Sequence, residues 1–79
     1  MNNGTFQKIV DIICDELDIS ADGITESSKI VSDLDVNSLE LLNVIMVVEE
    51  ELNITLEENR LRKIKTVGDL VKYVDELKN

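Results

Sequence analysis

Asn37 is followed three residues later by Glu40 and then by a largely apolar run to Leu52, and this feature constrains the fold more than any other. An Asn side chain accepts a backbone N–H in the first turn of a helix, and a Glu three positions on reaches back to the cap's own N–H. The pattern predicts a helix starting at Asn37 or Ser38 and continuing to Leu52. Leu41, Val44, Ile45, Val48 and Leu52 fall on one stripe of it. Leu39, Leu42 and Met46 fall on another, which runs on into Glu49 and Glu50. That is more apolar surface than one core-facing stripe needs. The second stripe is either extra core packing or a binding surface, and Met46, being adaptable, suits the latter.

Three further segments carry helical periodicity. Phe6, Ile9, Val10, Ile13 and Leu17 recur at the spacing of one helix face, predicting a helix from about Thr5 to Leu17. Near the other end Thr66 is a cap with Asp69 in the reaching-back position, and Val67, Leu70, Val71, Val74 and Leu77 form the apolar stripe behind it. The charged stretch from Glu57 to Lys65 accommodates one short helix around Glu58 to Arg62. From Asp18 onward the chain breaks into Ser, Asp, Gly and Thr with isolated Ile24, Ile30 and Val31. This reads as a long ordered loop over about 18–36, pinned by those apolar residues. The expectation is an all-α fold, a small four-helix bundle of three longer helices and one short one, formed by residues 1–79 as a single domain.

Composition narrows the function. The 79 residues include one Cys and no His, which excludes an internal disulfide, the familiar zinc sites and a Ser-His-Asp arrangement. Cys14, at the edge of the first helix's apolar face, is read as a small buried thiol. Seventeen acidic against eight basic residues give a net charge of −9, which argues against nucleic acid and against an anionic membrane as partner. Partners with basic surfaces are expected instead. No basic leader with an apolar core and no membrane-length segment is present, so a soluble, cytoplasmic protein is expected, and its high charge makes a monomer the expectation. The acidic clusters lack the oxygen-ligand spacing of a calcium-binding hand, and no specific metal site is expected. No acid–base pair stands out, and a catalyst is not expected.

Ser38 sits where the unpaired N–H groups and the positive end of a helix dipole favour a phosphate. Most Ser residues at helix starts are only caps, so position alone says little. Its surroundings say more. The segment Asp33-Leu34-Asp35-Val36-Asn37-Ser38-Leu39-Glu40 resembles the signature of the acyl carrier protein family, an acidic-Leu pair leading through a short turn to Asp-Ser-Leu. Val48-Glu49-Glu50-Glu51-Leu52 is similar to the family's acidic end of the second helix. Ile64-Lys65-Thr66-Val67-Gly68-Asp69-Leu70 is similar to the family's approach to the final helix, so the resemblance covers nearly the whole chain.

The resemblance implies that a phosphopantetheinyl transferase (the holo-carrier synthase) attaches 4'-phosphopantetheine from coenzyme A to Ser38, flanked by Asn37 and Leu39. The arm's thiol would carry acyl cargo as thioesters in fatty-acid or related biosynthesis, including polyketide and other secondary metabolism. It further implies that Val44, Ile45, Val48 and Leu56 line an acyl pocket. Asp35, Leu39, Glu40, Leu42, Met46, Glu49 and Glu50 would face basic docking surfaces on acyl-transferring and chain-elongating enzymes. A dedicated transferase would supply the activation that an isolated Ser hydroxyl lacks.

Two departures from the family pattern stand out. Asn37 replaces the commoner Asp, keeping the cap while removing a charge. Arg60, Arg62, Lys63 and Lys65 form a basic cluster where general fatty-acid carriers are often acidic; the plain reading is a solvated short helix whose cations pair with Glu57, Glu58 or a helix C-terminus. Peptidyl and D-alanyl carriers share the modified Ser at the start of a second helix. An unmodified acidic interaction module docking through Leu39, Leu42 and Met46 is the alternative from a different class.

Overall fold

The computed structural model describes residues 3–78. The chain forms α1 (Asn3–Leu17), α2 (Ser38–Leu52), α3 (Glu58–Leu61) and α4 (Val67–Lys78). Among the described residues there are therefore four helices, with α3 a single turn, as the periodicity predicts. α1 packs against both α2 and α4. Ile9, Val10 and Ile13 of α1 meet Val44, Ile45 and Val48 of α2 and Val67, Leu70, Val71 and Val74 of α4 in one apolar core.

The helix ends follow from local chemistry. α1 and α2 both run into a non-Gly residue in the left-handed region, Asp18 (φ 54°) and Asn53 (φ 56°). Asp and Asn tolerate this conformation better than other side chains because their short polar groups bond locally. It turns the chain sharply, and the N–H groups of Asn53 and Ile54 both point back to the Glu49 carbonyl. α4 starts on a reciprocal cap: Asp69 N–H donates to Thr66 Oγ1 at 3.0 Å and Thr66 N–H donates to Asp69 Oδ2 at 3.2 Å. The Lys65 N–H donates to the same carboxylate oxygen. These donors hold the Asp69 carboxyl below its ordinary pKa, Lys65 N–H contributing most and Thr66 N–H next.

The α1–α2 connection is strapped to the start of α4. Lys29 and Thr66 form an isolated antiparallel bridge, in which Ile30 N–H donates to Lys65 C=O and Val67 N–H to Ser28 C=O, each at 2.9 Å. Gly68 N–H donates to Glu26 C=O at 2.8 Å, and a Cβ at position 68 would stand 2.8 Å from that oxygen. Gly is required here by close approach. The strap turns Ile30 into the core, and Val36 follows it just before α2.

Four expectations need correction. Val31 does not pin the loop: it is 60% exposed, because the bridge directs its neighbour Ile30 inward. Leu77 does not complete the α4 stripe but lies at the exposed end of the helix, whereas Tyr73 is buried. The Tyr73 hydroxyl accepts the Glu57 N–H at 2.9 Å, and the Arg60 guanidinium stacks 4.2 Å above its ring. Arg62 pairs with Glu58 as the plain reading has it, but Arg60 pairs across to Glu76 on α4 at 2.6 Å. Cys14 is half-buried rather than buried. Burial, with the Asp11 charge second, pushes its thiol pKa up, away from the reactive thiolate.

Candidate attachment site at the start of helix α2

Asn37, in extended conformation, is the cap of α2 and Ser38 is the first helical residue. Glu40 N–H donates to Asn37 Oδ1 at 2.8 Å, and Asn37 N–H donates to Glu40 Oε1 at 3.1 Å. The capping box read from the sequence is therefore formed in full, with Asn serving where an Asp is commoner. Two residues earlier Asp35 takes a left-handed conformation (φ 54°), which turns the chain so that Val36 enters the core and Ser38 emerges from it. The serine is thus held by a buried anchor on one side and a capped helix on the other.

Ser38 is exposed. Among the described residues none hydrogen-bonds its hydroxyl, and Glu40, the nearest carboxylate on the helix, is committed to the Asn37 N–H. A free hydroxyl beside the first-turn N–H groups of a 15-residue helix fits a phosphodiester-linked group: the bond has room and the dipole favours the charge.

The outer stripe of α2 lies on the surface. Leu39, Leu42 and Met46 are 71, 56 and 61% exposed, three large apolar side chains left in water on one helix face. Glu50 is exposed beside them, and Asp35 is exposed ahead of the helix. Glu40 and Glu49 are engaged differently. Glu40 closes the cap, and the half-buried Glu49 carboxylate accepts the Leu56 N–H at 2.8 Å. Both serve the frame of the site. The residues expected to line an acyl pocket, Val44, Ile45, Val48 and Leu56, are all buried in the common core.

A surface groove of about 490 Å3 is lined by Leu41, Leu61 and Ile64 with Val31, and rimmed by Lys29, Arg62 and Lys65. Sequence reading does not find it. Its lining comes from the strapped loop, α2 and the α3–α4 connection, and only the basic cluster at 60–65 hinted that this side of the chain is unusual.

Comparison with known proteins agrees with the geometry. The sequence pattern of the family described as phosphopantetheine attachment site matches residues 7–74. The acyl carrier protein of Picosynechococcus sp. is 41% identical over 76 residues, covering 96% of this chain and 94% of that protein. That of Lactobacillus acidophilus is 39% identical, covering 87% of this chain and 86% of that protein. Among solved structures, a candidate acyl carrier protein from Mycobacterium tuberculosis superposes with a TM-score of 0.86 at 32% identity, covering 91% of this chain and 96% of that one. The acyl carrier protein of Enterococcus faecalis gives a TM-score of 0.78 at 30% identity, covering 94% of each chain. The family match and these relatives thus make the chain a phosphopantetheine-bearing carrier in class, and the chain belongs to the acyl carrier protein family.

Proposed function

We propose that Ser38 is the residue to which 4'-phosphopantetheine is attached, and that the chain carries acyl intermediates as thioesters between the enzymes of fatty-acid or related biosynthesis. The observation that carries this reading is the exposed, unengaged Ser38 hydroxyl at the capped start of α2. When bound, the group supplies a thiol on a flexible arm. The chain itself supplies position. Asn37 and Glu40 fix the first turn, Val36 anchors the approach, and the helix N-terminus favours the negative charge of the ester.

On this reading the protein is a carrier and not a catalyst. Its partners are a phosphopantetheinyl transferase and enzymes that load, elongate or remove the acyl cargo. The net charge of −9 steers basic surfaces toward the protein, and Leu39, Leu42 and Met46 supply apolar anchors once the surfaces meet. Among the described residues no helix is long and apolar enough to cross a membrane. We place the carrier in the cytoplasm as a monomer.

Incubating the apo protein with coenzyme A and a broad-specificity phosphopantetheinyl transferase tests the assignment. One phosphopantetheine mass should be gained by the native chain and none by Ser38→Ala. No gain in either protein, or an equal gain in both, overturns it. Holo protein that accepts an amino acid from an adenylation enzyme, rather than an acyl group, would overturn the cargo class instead.

A further inference from the structure

The groove beside α2 has a charge composition opposite to that of the chain. Its rim holds three of the eight cations, Lys29, Arg62 and Lys65, and among the described residues none of the acidic ones lines it. Three carboxylates close to the rim in sequence are already engaged. Asp33 accepts the Lys29 backbone N–H, Asp69 accepts that of Lys65, and Glu58 makes an exposed pair with Arg62 at 3.1 Å. Such an exposed pair is weak and exchangeable. The Lys29 and Lys65 side chains form no salt bridge among the described residues.

The floor of the groove is apolar. Leu41, Leu61 and Ile64 are half-buried against the core, and the exposed Val31 forms one wall. Leu41 follows Ser38 by three residues on the same helix, a rise of about 4.5 Å. The groove therefore opens within one turn of the attachment point. An apolar floor with a cationic rim matches a ligand that is hydrocarbon along its length and negatively charged at its end.

We propose that this groove gives the protein a preference for acyl cargo that ends in an anionic group, such as the half-thioester of a dicarboxylic acid, over simple alkyl cargo. The inference rests on the assignment of Ser38 as the attachment point and adds to it the class of cargo. The methylenes lie along Leu41, Leu61 and Ile64, and the terminal carboxylate meets Lys29, Arg62 and Lys65. A purely alkyl chain of the same length would leave Lys29 and Lys65 without an ion-pair partner and gain only the floor.

The test compares two cargoes of equal carbon number, octanoyl and 7-carboxyheptanoyl, each transferred to Ser38 from its coenzyme A thioester by a phosphopantetheinyl transferase and confirmed by intact mass. Thioester cleavage by hydroxylamine is measured on the protein and normalised to the same thioester on coenzyme A. Backbone amide shifts are recorded for each loaded form against the unloaded holo protein. The carboxylated cargo should be cleaved about threefold more slowly than octanoyl, the scale of one or two exposed charge contacts. It should also shift the amides of Leu61, Arg62 and Lys65.

Both effects should fade with added salt and vanish in the triple variant Lys29→Gln, Arg62→Gln, Lys65→Gln, while Lys8→Gln, in a different groove, keeps them. Equal protection of the two cargoes, stronger protection of octanoyl, or a preference that survives the triple variant overturns the proposal while leaving the Ser38 assignment intact. Failure of both cargoes to add mass overturns the Ser38 assignment and the proposal with it.

Discussion

The Glu49 carboxylate accepts the Leu56 backbone N–H at 2.8 Å, so the acidic end of α2 fastens the segment that leads into α3. The two residues stand seven positions apart, and between them the chain reverses at Asn53. The contact explains why one of three consecutive Glu residues is half-buried while Glu50 and Glu51 face water.

Replacing Glu49 by Ala should therefore destabilise the fold by about 1–2 kcal/mol, the range for leaving a partly buried donor unpaired. Glu50→Ala, lacking such a contact, should change stability by less than about 0.5 kcal/mol. Urea unfolding of the two variants checks the contrast.

Asp69 gives a pH prediction. The Lys65 and Thr66 N–H groups hold its pKa below the ordinary value of 3.8. A carboxyl depressed in the folded state contributes stability that is present above its unfolded value and is lost as pH falls through the folded one. Between pH 5 and pH 2, native protein should lose stability more steeply than Asp69→Asn, which has no proton to take up at this position. The charge is largely exposed, so the difference is modest; thermal melts of both proteins across that range measure it. Parallel curves would contradict it.

At Gly68 the prediction concerns space. A Cβ there would sit 2.8 Å from the Glu26 carbonyl oxygen, which also receives the Gly68 N–H. Alanine favours helices over glycine by about 1 kcal/mol, yet the strap would have to move to admit it. Gly68→Ala should lower stability by about 1–2 kcal/mol net and shift the amide signals of residues 26–30. A stabilised variant would show that the strap yields freely.

The excess of nine negative charges should make stability depend on salt. Screening weakens self-repulsion in the compact state, so the melting temperature should rise from low to moderate ionic strength. Calorimetry at two salt concentrations suffices, and a flat response would refute the argument.

What the sequence made legible was local. Asn37 with Glu40 and Thr66 with Asp69 announce two helix starts because each cap is a bond between residues three apart. The proposal of Ser38 as the attachment serine rests on the first of these and on resemblance across the chain. Contacts between distant segments were not legible. Ile30 and Val31 are chemically alike, and only the bridge to Thr66 decides which is buried. Tyr73 is buried because its hydroxyl finds a donor sixteen residues earlier, at Glu57. Sequence also does not show that Glu40 and Glu49 hold backbone groups besides the partner-facing role expected of them. The cationic groove is a product of three segments, of which the sequence displays one as a cluster.

The strap between residues 26–30 and 65–68 also sets an order of events during protein synthesis. A ribosome delivers Ser38 well before the residues that fasten the loop ahead of it. Until the start of α4 has emerged, Ile30 has no carbonyl to bond and the approach to α2 is untied. Ser38 gains its final setting only when residues 65–68 are available, so a modifying enzyme that reads this setting acts after the strap has closed and not before.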